Sequence, residues 1–471
     1  MSSTEDKKDK VTQAVTHNEN TDQMKAQKST KKIKQKIIEP KVLKGFRDTL
    51  PEDEIKKRTL IEKLEKMFRT YGFVPIDTPA LEYTEVLLGK GGGETDKQIF
   101  HFTDNGGREV ALRFDLTVPF ARFLAAHQDS LELPFKRYHI NKVWRGEKPQ
   151  KGRFREFYQC DFDIVGADNA EADFEILSMM NASFTKLGLK HYTFCVAHRG
   201  LFNAFLDHFG LLEHNTEILR EVDKLRKVGK EKVLASLIDI TGSEAKAQSI
   251  IEYINLPEGE NFIQTVDRLS QLAGGEQEHT ARLHAIWNFI TTCGIEEHFI
   301  FDPSITRGLD YYTGIVYETF LDDLPSFGSV CSGGRYNNLA SLYTKTKLPG
   351  VGSSIGLDRL VSAIEELKLP ILSDASSADC IIFNKGEELF GYGIQVANKL
   401  REEGIKVDLF LMDKKMNQQF KYAEKNRIPY GIMLSKEDKE NGTLTLKNLL
   451  TREQSDAISV EQAYAHIEKA L

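Results

Sequence analysis

The spacing of hydrophobic residues near the start of the chain predicts one long helix followed by a series of strands. Between Pro51 and Tyr71, apolar side chains recur every three or four positions, which is typical of an amphipathic helix. Gly72 follows as a residue suited to a helix end. Two alternating runs, "IFHFTD" and "EVALRFDLT", then flank an Asn-Gly pair at 105–106, a pair that tight hairpin turns favour.

Further alternating runs predict the strands of a larger sheet. The runs "KRYHINKVWRG" and "REFYQCDFDIVG" predict two strands joined by a charged loop. Strand patterns return with "GIVYETFL" and continue through "SVCSGGRYNNLA" to "GVGSSIG". Antiparallel strands clustered in this way, with helices beside them, are typical of an α+β layer fold.

Changes in pattern and composition divide the chain into segments. The first is rich in Lys, has no aromatic residue and is expected to be a disordered tail. The last alternates strand and helix patterns and predicts a separate α/β domain beyond a linker, "SDASSA", at 373–378. The expected limits are 1–40 for the tail, 41–212 and 299–370 for the strand-rich domain, 213–298 for a helical insertion, and 376–471 for the last domain.

Composition limits the kinds of binding site that the chain can contain and indicates the cellular compartment that it suits. The 471 residues carry a net charge of −7, so any phosphate binding must come from a local basic patch. The five cysteines include no CxxC pair, which argues against a thiolate zinc site or a disulfide framework and favours a reducing, cytoplasmic compartment. No run reaches the roughly 18 apolar residues that a membrane helix needs, so no membrane contact is expected.

One local basic patch stands out against this acidic background. Between Lys136 and Arg155 there are eight Lys or Arg residues and one acid, Glu147. Arg145, Arg153 and Arg155 flank a loop between two predicted strands, and arginine suits forked contacts with phosphate oxygens. The chain has no GxxxxGK[ST] sequence, so such a site would hold phosphates without a P-loop. A solvated strand face is the other interpretation of the patch.

Two runs place polar side chains on one face of a predicted strand. In a regular strand, alternate residues share a face. The residues aligned in this way are Arg113, Asp115 and Thr117 in the first run, and Gln159, Asp161 and Asp163 in the second. Faces rich in carboxylates and amides suit a polar, partly cationic small molecule, and a solvent-exposed sheet face is the alternative.

A third stretch, "RGLDYYTG" from Arg307 to Gly314, combines a cation with two adjacent tyrosines. Neighbouring residues in a regular strand point to opposite faces, so Tyr311 and Tyr312 serve one pocket only if the strand starts irregularly. Gly308 makes such a start plausible. A turn that leads into a half-buried strand is the simpler interpretation.

Five motifs in order give the chain a resemblance to the histidyl-tRNA synthetases, which are class II aminoacyl-tRNA synthetases. Residues 45–83 resemble motif 1, the dimerisation segment, and Lys136–Gly166 resembles motif 2. Motif 3 is matched by "GVGSSIGLDRL" at 350–360. Two signatures of the histidine enzyme are matched by "RGLDYYTG" and by "SGGRYNNL" at 332–339. The resemblance covers residues from about 41 to 471.

The resemblance implies which residues bind histidine. The residues that hold the α-amino group would be Asp115, Thr117 and Gln159. Asp163, together with Tyr311 or Tyr312, would read the imidazole. The match is mixed, because bacterial members carry Glu at position 163 and "CDFDIVG" is similar to the eukaryotic version. The short motif 2 loop, "RGEKPQKGR", is instead similar to the bacterial form.

The resemblance also implies which residues act on ATP. Arg145 would contact the histidine carboxylate and the α-phosphate, and Arg307 would stabilise the charge on the α-phosphate beside the substrate. Arg153 and Arg359 would bind the outer phosphates. Glu147 would face the adenine or the metal-bound phosphates. Mg²⁺ is expected to enter with ATP, and no dedicated metal site is expected.

The activity that the resemblance implies is ATP-dependent ligation of L-histidine to tRNA(His) through a histidyl-adenylate, with release of AMP and pyrophosphate. A cytoplasmic homodimer is expected, in which residues 376–471 bind the anticodon region. The insertion would contact tRNA or be structural. The alternatives are a non-catalytic, synthetase-like regulatory paralogue, or a prolyl, threonyl or glycyl enzyme of the same subgroup.

Overall fold

The computed structural model describes most of the chain, with short gaps. The described residues are 38–89, 98–149, 152–255, 257, 259–306, 311–372 and 376–469. The predicted tail, apart from its last three residues, lies outside them, as do Arg307 and residues 373–375 of the predicted linker. The exposed segment 38–43 has no helix or strand and lies outside the unit that begins at Lys44.

The first helix, α1, spans Pro51–Thr70 as the hydrophobic spacing predicted. Pro51 occupies the first helical turn, where a backbone N–H would have no partner within the helix. Three acidic residues of that turn interact favourably with the positive end of the helix dipole. Gly72, just beyond the helix, has φ +77°, a conformation that glycine adopts without strain. One face of α1 buries Leu60, Leu64 and Phe68 against the main core.

The strands up to residue 356 lie in two sheets. Their bounds are β1 Val74–Pro75, β2 Leu81–Tyr83, β3 His101–Thr103, β4 Glu109–Leu112, β5 Phe135–Trp144, β6 Glu156–Val165, β7 Tyr192–His198, β8 Phe299–Phe301, β9 Ile315–Leu321, β10 Cys331–Arg335 and β11 Gly350–Gly356. Within the described ranges, the large sheet has the order β1-β5-β6-β11-β10-β9-β7-β8 and the small sheet the order β2-β4-β3. The central pairs are antiparallel, which confirms the predicted α+β class.

The hairpin predicted around the Asn-Gly pair is present, but the strand after it ends early. β3 and β4 pair in antiparallel register, with His101 opposite Ala111. The prediction that one strand extends to Thr117 was wrong, because β4 stops at Leu112 and Thr117 begins the helix α3, Thr117–His127. Asp115 Oδ1 accepts the N–H of Val118 at 3.0 Å, and such a local side-chain bond competes with strand pairing.

Helices flank the sheet and fill the segment after residue 213. Besides α1 and α3, their bounds are α2 Thr84–Leu88, α4 Ala170–Lys186, α5 Arg199–His208, α6 Asn215–Val222, α7 Leu225–Val228, α8 Lys230–Thr241, α9 Glu244–Ile254, α10 Phe262–Leu272, α11 Glu278–Thr292 and α12 Leu357–Glu366; α3 ends at His127. Across 213–298 the described residues contain helices and turns and no strand. No helix of the described chain is long and apolar enough to cross a membrane.

The C-terminal residues form a sheet with its own apolar core. The elements are β12 Cys380–Ile382, α13 Glu387–Glu402, β13 Val407–Leu409, α14 Met416–Lys425, β14 Tyr430–Met433, α15 Lys436–Asn441, β15 Thr443–Asn448, β16 Gln454–Ser459 and α16 Val460–Glu468. The described strands have the order β13-β12-β14-β15-β16, with the first three parallel. The sequence pattern missed α15 and β16, because a short polar helix and a half-exposed edge strand carry little periodic signal.

Glycines in β10 and β11 let the centre of the large sheet accept bulky polar side chains. A Cβ on Gly352 would lie 1.9 Å from Asp163 Oδ1, and a Cβ on Gly333 would lie 2.1 Å from the Gly352 carbonyl oxygen. That carbonyl accepts a hydrogen bond from the buried Tyr317 hydroxyl at 2.7 Å. Only glycine fits where strands and side chains approach so closely.

Candidate functional site

A cleft of about 1330 Å³ lies against the large sheet and brings together the residues that the sequence motifs singled out. Its walls come from the loop before α3, from β6, from the segment before β9, and from the start of α12. The predicted site residues that line it are Asp115, Thr117, Arg145, Glu147, Arg153, Gln159, Asp163, Tyr311, Tyr312 and Arg359. Arg307 is outside the described residues.

One side of the cleft floor is rich in buried hydrogen-bond acceptors. Asp115 and Gln159 line the cleft, and Asp161, outside the lining, lies beside Thr117. Asp115 Oδ2, Gln159 Oε1 and Asp161 Oδ1 are buried without a hydrogen-bond partner among the described residues. Gln159 donates its amide N–H to Ser354 Oγ at 2.8 Å, which turns the amide oxygen away from that contact. Thr117 Oγ1 lies 3.4 Å from Asp161 Oδ2. Buried acceptors are costly unless a donor reaches them, so this side suits a cationic ligand.

Burial controls the charge of these carboxyl groups. It raises the pKa of Asp115 to about 6, although the Val118 N–H and the Arg145 charge act in the opposite direction. It raises the pKa of Asp161 to about 7, where Arg137 opposes the change and Asp163 adds to it. A cation that enters the floor would therefore favour the ionised forms.

The adjoining part of the floor is held by an ion pair and a tyrosine. Asp163 Oδ2 lies 2.7 Å from Arg137 Nη2, and both side chains are buried. The Tyr336 hydroxyl donates to Asp163 Oδ1 at 2.5 Å. Since a carboxylate oxygen has two lone pairs, Asp163 keeps the capacity to accept a further donor from the cleft.

The two adjacent tyrosines both face this region. Tyr311 and Tyr312 precede β9, so they are not bound to the alternation of a regular strand. Their ring centroids are 4.7 Å apart, and Tyr311 also lies edge-on to Tyr336 at 6.2 Å. The irregular strand start that the sequence required is thus present.

Another part of the cleft lining is basic. Arg145 Nε donates to the Phe114 carbonyl at 3.0 Å. Arg359 Nη1 donates to the Ser329 carbonyl at 2.5 Å. Burial, with the charges of Arg153 and Arg145, lowers the pKa of Arg359 to about 10. Guanidinium groups gathered in this way are complementary to an anion with several oxygens, such as a triphosphate.

Sequence reasoning assigned no role to two residues of this site. Arg137 lies opposite Asp163 in the register of β5 and β6, so a pairing of those strands from the sequence could have identified it. Tyr336 belongs to the "SGGRYNNL" stretch, but its reach to Asp163 depends on the separate path of β10. The described residues contain no cluster of three or more His, Cys, Asp or Glu side chains that could hold a metal ion.

Comparisons with known proteins agree on one family. A family model described as "Histidyl-tRNA synthetase" matches residues 45–360, and one described as "Anticodon binding domain" matches residues 379–470. Histidine–tRNA ligase of Treponema denticola is 54% identical over 405 residues, which cover 85% of this chain and 90% of that protein. The same enzyme of Rhodopirellula baltica is 42% identical over 436 residues, with 91% and 97% covered. A crystal structure of histidyl-tRNA synthetase from Nostoc sp. has a TM-score of 0.82 at 29% identity, and the match covers 92% of this chain and all of that one.

The raised pKa of Asp161 predicts how stability depends on pH in the chain without ligands. The folded-state pKa of about 7 exceeds the ordinary value of 3.8, so the group's contribution to stability is complete below pH 3.8 and is lost as the pH rises through about 7. Asp161→Asn cannot ionise. Its melting temperature should therefore exceed that of the unsubstituted chain by more at pH 8 than at pH 5, as measured by calorimetry.

The exposed Asp239 on α8 provides a matched control. Asp239→Asn should shift the melting temperature by the same small amount at both pH values. If the difference caused by Asp161→Asn stays constant between pH 5 and pH 8, or falls, then Asp161 is not a buried carboxyl that ionises in this range.

Proposed function

The chain belongs to the histidyl-tRNA synthetase family, and we propose that it joins L-histidine to tRNA(His) in two steps through a histidyl-adenylate. It is an aminoacyl-tRNA synthetase with a C-terminal anticodon-binding domain. The observation that supports the two-step reaction best is one cleft whose lining combines unpartnered buried acceptors with a cluster of arginines. An amino acid has an ammonium group for the acceptors and a carboxylate for the arginines.

The α-ammonium group of histidine would bind on the acceptor-rich floor. An ammonium has three N–H donors, and Asp115 Oδ2 and Gln159 Oε1 are buried acceptors without a described partner. The Thr117 hydroxyl oxygen supplies a third acceptor on the same floor. Filling these positions removes the cost of leaving buried acceptors unpaired.

The imidazole of histidine would lie beside Asp163, with Tyr311 or Tyr312 against it. Asp163 is preset by Arg137 and Tyr336, so its oxygens present a fixed acceptor to a ring N–H. A site built to hydrogen-bond a polar group rejects analogues that lack it by about 10⁴–10⁵, because its own groups are then left unpaired. This accounts for selection of histidine without a separate editing step.

ATP would bind across the basic part of the cleft lining as its Mg²⁺ complex. Arg153 and Arg359 would contact the outer phosphates, and Arg145 would bridge the α-phosphate and the histidine carboxylate. Glu147 would face the adenine or the metal-bound phosphates. Mg²⁺ belongs here to the nucleotide substrate, held mainly by phosphate oxygens and water, as this ion prefers.

The first step would be in-line attack of the histidine carboxylate on the α-phosphorus. A carboxylate O–P bond forms, the bond from the α-phosphorus to the bridging oxygen breaks, and pyrophosphate leaves with the bond electrons. Arg145 and Arg307 would stabilise the charge that builds up on the α-phosphate oxygens. The protein contributes positioning and electrostatic stabilisation rather than covalent chemistry. In the second step the acyl group passes to a terminal ribose hydroxyl of tRNA, and AMP is released.

The remaining parts of the chain would serve tRNA binding in the cytoplasm. We propose that residues 376–471 bind the anticodon region and that the insertion, 213–298, contacts tRNA or supports the catalytic domain. The catalytic domain would comprise 41–212 and 299–370. The regulatory-paralogue alternative has less support, because Arg145, Arg153 and Arg359 all line the cleft and the 54% identical relative is a ligase.

The function is tested by exchange of labelled pyrophosphate into ATP with each of the twenty amino acids. Histidine alone should support exchange.

Arg307→Ala should lower kcat for this exchange by about 10²–10³, because a preorganised donor to a developing charge is lost. Arg108→Ala, which removes an exposed ion pair with Asp104 outside the cleft lining, is the comparison and should retain most of the rate. Near-normal exchange by Arg307→Ala would rule out the role, and exchange with another amino acid would rule out the function.

Asp163→Ala should chiefly damage histidine binding. A hydrogen bond to a charged group contributes about 1.5–3 kcal/mol, so histidine affinity should fall roughly 10–150-fold. ATP affinity should change little, because Asp163 is not among the residues proposed to contact ATP. Isothermal titration of both ligands separates this result from general damage, in which both affinities would fall together. An unchanged histidine affinity ends the assignment.

We also propose that the active form is a homodimer paired through the motif 1 region. Val74, Leu81, Tyr83 and Phe102 in β1, β2 and β3 are each about half exposed, at 45–51%. In the described chain β1 pairs only with β5, so its other edge is open, and two-fold pairing is the commonest way to cover such a surface. Sedimentation at micromolar concentration should give twice the 53.5 kDa of one chain. A monomer in moderate salt contradicts the proposal.

A further inference from the structure

A buried ion-pair network joins the helical insertion to the wall of the cleft. Asp173, in the first turn of α4, is fully buried. Arg282, on α11 of the insertion, donates from Nε to Asp173 Oδ2 at 2.7 Å. Arg335, at the end of β10, donates from Nε to Asp173 Oδ1 at 2.8 Å. One carboxylate thus links a residue of the insertion to a residue of the central sheet.

Arg282 is held at three points by a single stretch of the chain. Besides Asp173, its Nη1 donates to Asp168 Oδ1 at 2.8 Å and its Nη2 to the Asn169 carbonyl at 2.9 Å. The helices α4 and α11 also make an apolar contact, in which the rings of Phe174 and Phe289 lie 5.5 Å apart. The planar guanidinium therefore has little freedom to move relative to α4.

Arg335 in turn fixes the segments that carry the proposed imidazole-binding tyrosines. Its carbonyl accepts the N–H of Thr313 at 2.8 Å, which anchors the chain directly after Tyr312. Its Nη1 donates to Asn337 Oδ1 at 3.1 Å. Between these anchors lies Tyr336, whose hydroxyl reaches Asp163.

We infer that Arg282 is a positioning residue for the histidine pocket, acting through Asp173 and Arg335 on Tyr336. This inference rests on the proposed function of the cleft. It gives the insertion a part in amino acid recognition, in addition to any contact with tRNA. Arg282 does not line the cleft and touches no substrate in this scheme.

The two acidic residues that Arg282 holds explain how its loss would be transmitted. Asp168 Oδ1 lies 2.8 Å from Arg282 and also 3.3 Å from Arg335 Nη1. Without Arg282, Asp173 keeps a single guanidinium, and Asp168, whose other oxygen still accepts from Asn337 Nδ2 at 2.8 Å, would draw Arg335 toward its freed oxygen. Tyr336 follows Arg335 in the chain, so its bond to Asp163 would lose its geometry, and hydrogen bonds weaken steeply with misalignment.

The test is the histidine and ATP dependence of pyrophosphate exchange by Arg282→Gln in the full chain. The histidine KM should rise about tenfold, while the ATP KM should change less than twofold. Arg268→Gln is the matched control, because Arg268 lies in the same insertion, has similar exposure and pairs with Glu260 at 3.0 Å without reaching the sheet. Its histidine KM should be unchanged.

A conservative variant and a double-mutant cycle make the result decisive. Arg282→Lys keeps a charge near Asp173 but cannot make three directed bonds, so it should fold normally and still raise the histidine KM several-fold. If Arg282 acts through Tyr336, then Arg282→Gln combined with Tyr336→Phe should be little worse than Tyr336→Phe alone. Additive effects would overturn the inference, as would an equal rise in both KM values or a loss of thermal stability alone.

The failure of this inference can be told apart from failure of the proposed function. If the unsubstituted chain shows no histidine-dependent exchange, the proposed function fails, and the inference fails with it. If that chain is active and Arg282→Gln keeps its histidine KM, the inference alone is overturned.

Discussion

The burial of three carboxyl groups in and beside one cleft floor is the constraint on which the rest of the site depends. Asp115, Asp161 and Asp163 are each at most 3% exposed, and burial disfavours their ionised forms. Arg137 is a fully buried countercharge and pairs with Asp163. The floor therefore gains most from a ligand that brings its own positive charge, and an amino acid ammonium is such a ligand.

The sheet makes this concentration of polar groups possible. β5, β6 and β11 pair in one antiparallel register that sets Arg137 opposite Asp163 and Asp163 opposite Gly352. Glycine at that position gives the Asp163 side chain its space, since any Cβ would overlap it. Strand pairing thus sets the positions of the carboxyl groups, and glycine on the neighbouring strand leaves space for the Asp163 side chain.

The combination of acceptors and arginines in one cleft suits the proposed reaction. Asp115 and Gln159 line the cleft together with Arg145, Arg153 and Arg359. In the proposed scheme, an amino acid bound by its ammonium group at the acceptors presents its carboxylate to the arginines, where the α-phosphate of ATP would lie. Orientation of this kind replaces much of the entropic cost of bringing two substrates together. The inferred action of Arg282 on Tyr336 would extend the same principle to the imidazole.

The sequence by itself determined the features that depend on neighbouring residues. The periodicity of 51–70 predicted α1, the Asn-Gly pair predicted the β3–β4 hairpin, and alternation in β6 put Gln159, Asp161 and Asp163 on one face. The motif resemblance selected the residues that line the cleft, although it did not show how they meet. These predictions succeeded because hydrophobic period and turn chemistry act over a few residues.

Only the tertiary structure decided the contacts between distant parts of the chain. Tyr336 reaches Asp163 across 173 positions, and Arg335 reaches Asp173 across 162. The hydrophobic pattern also did not predict that β4 ends at Leu112. The strand ends there because Asp115 accepts the N–H of Val118 in the first turn of α3 and Arg113 donates to the Thr78 carbonyl. Side-chain hydrogen bonds and burial set these positions, and both depend on which elements pack together rather than on local periodicity.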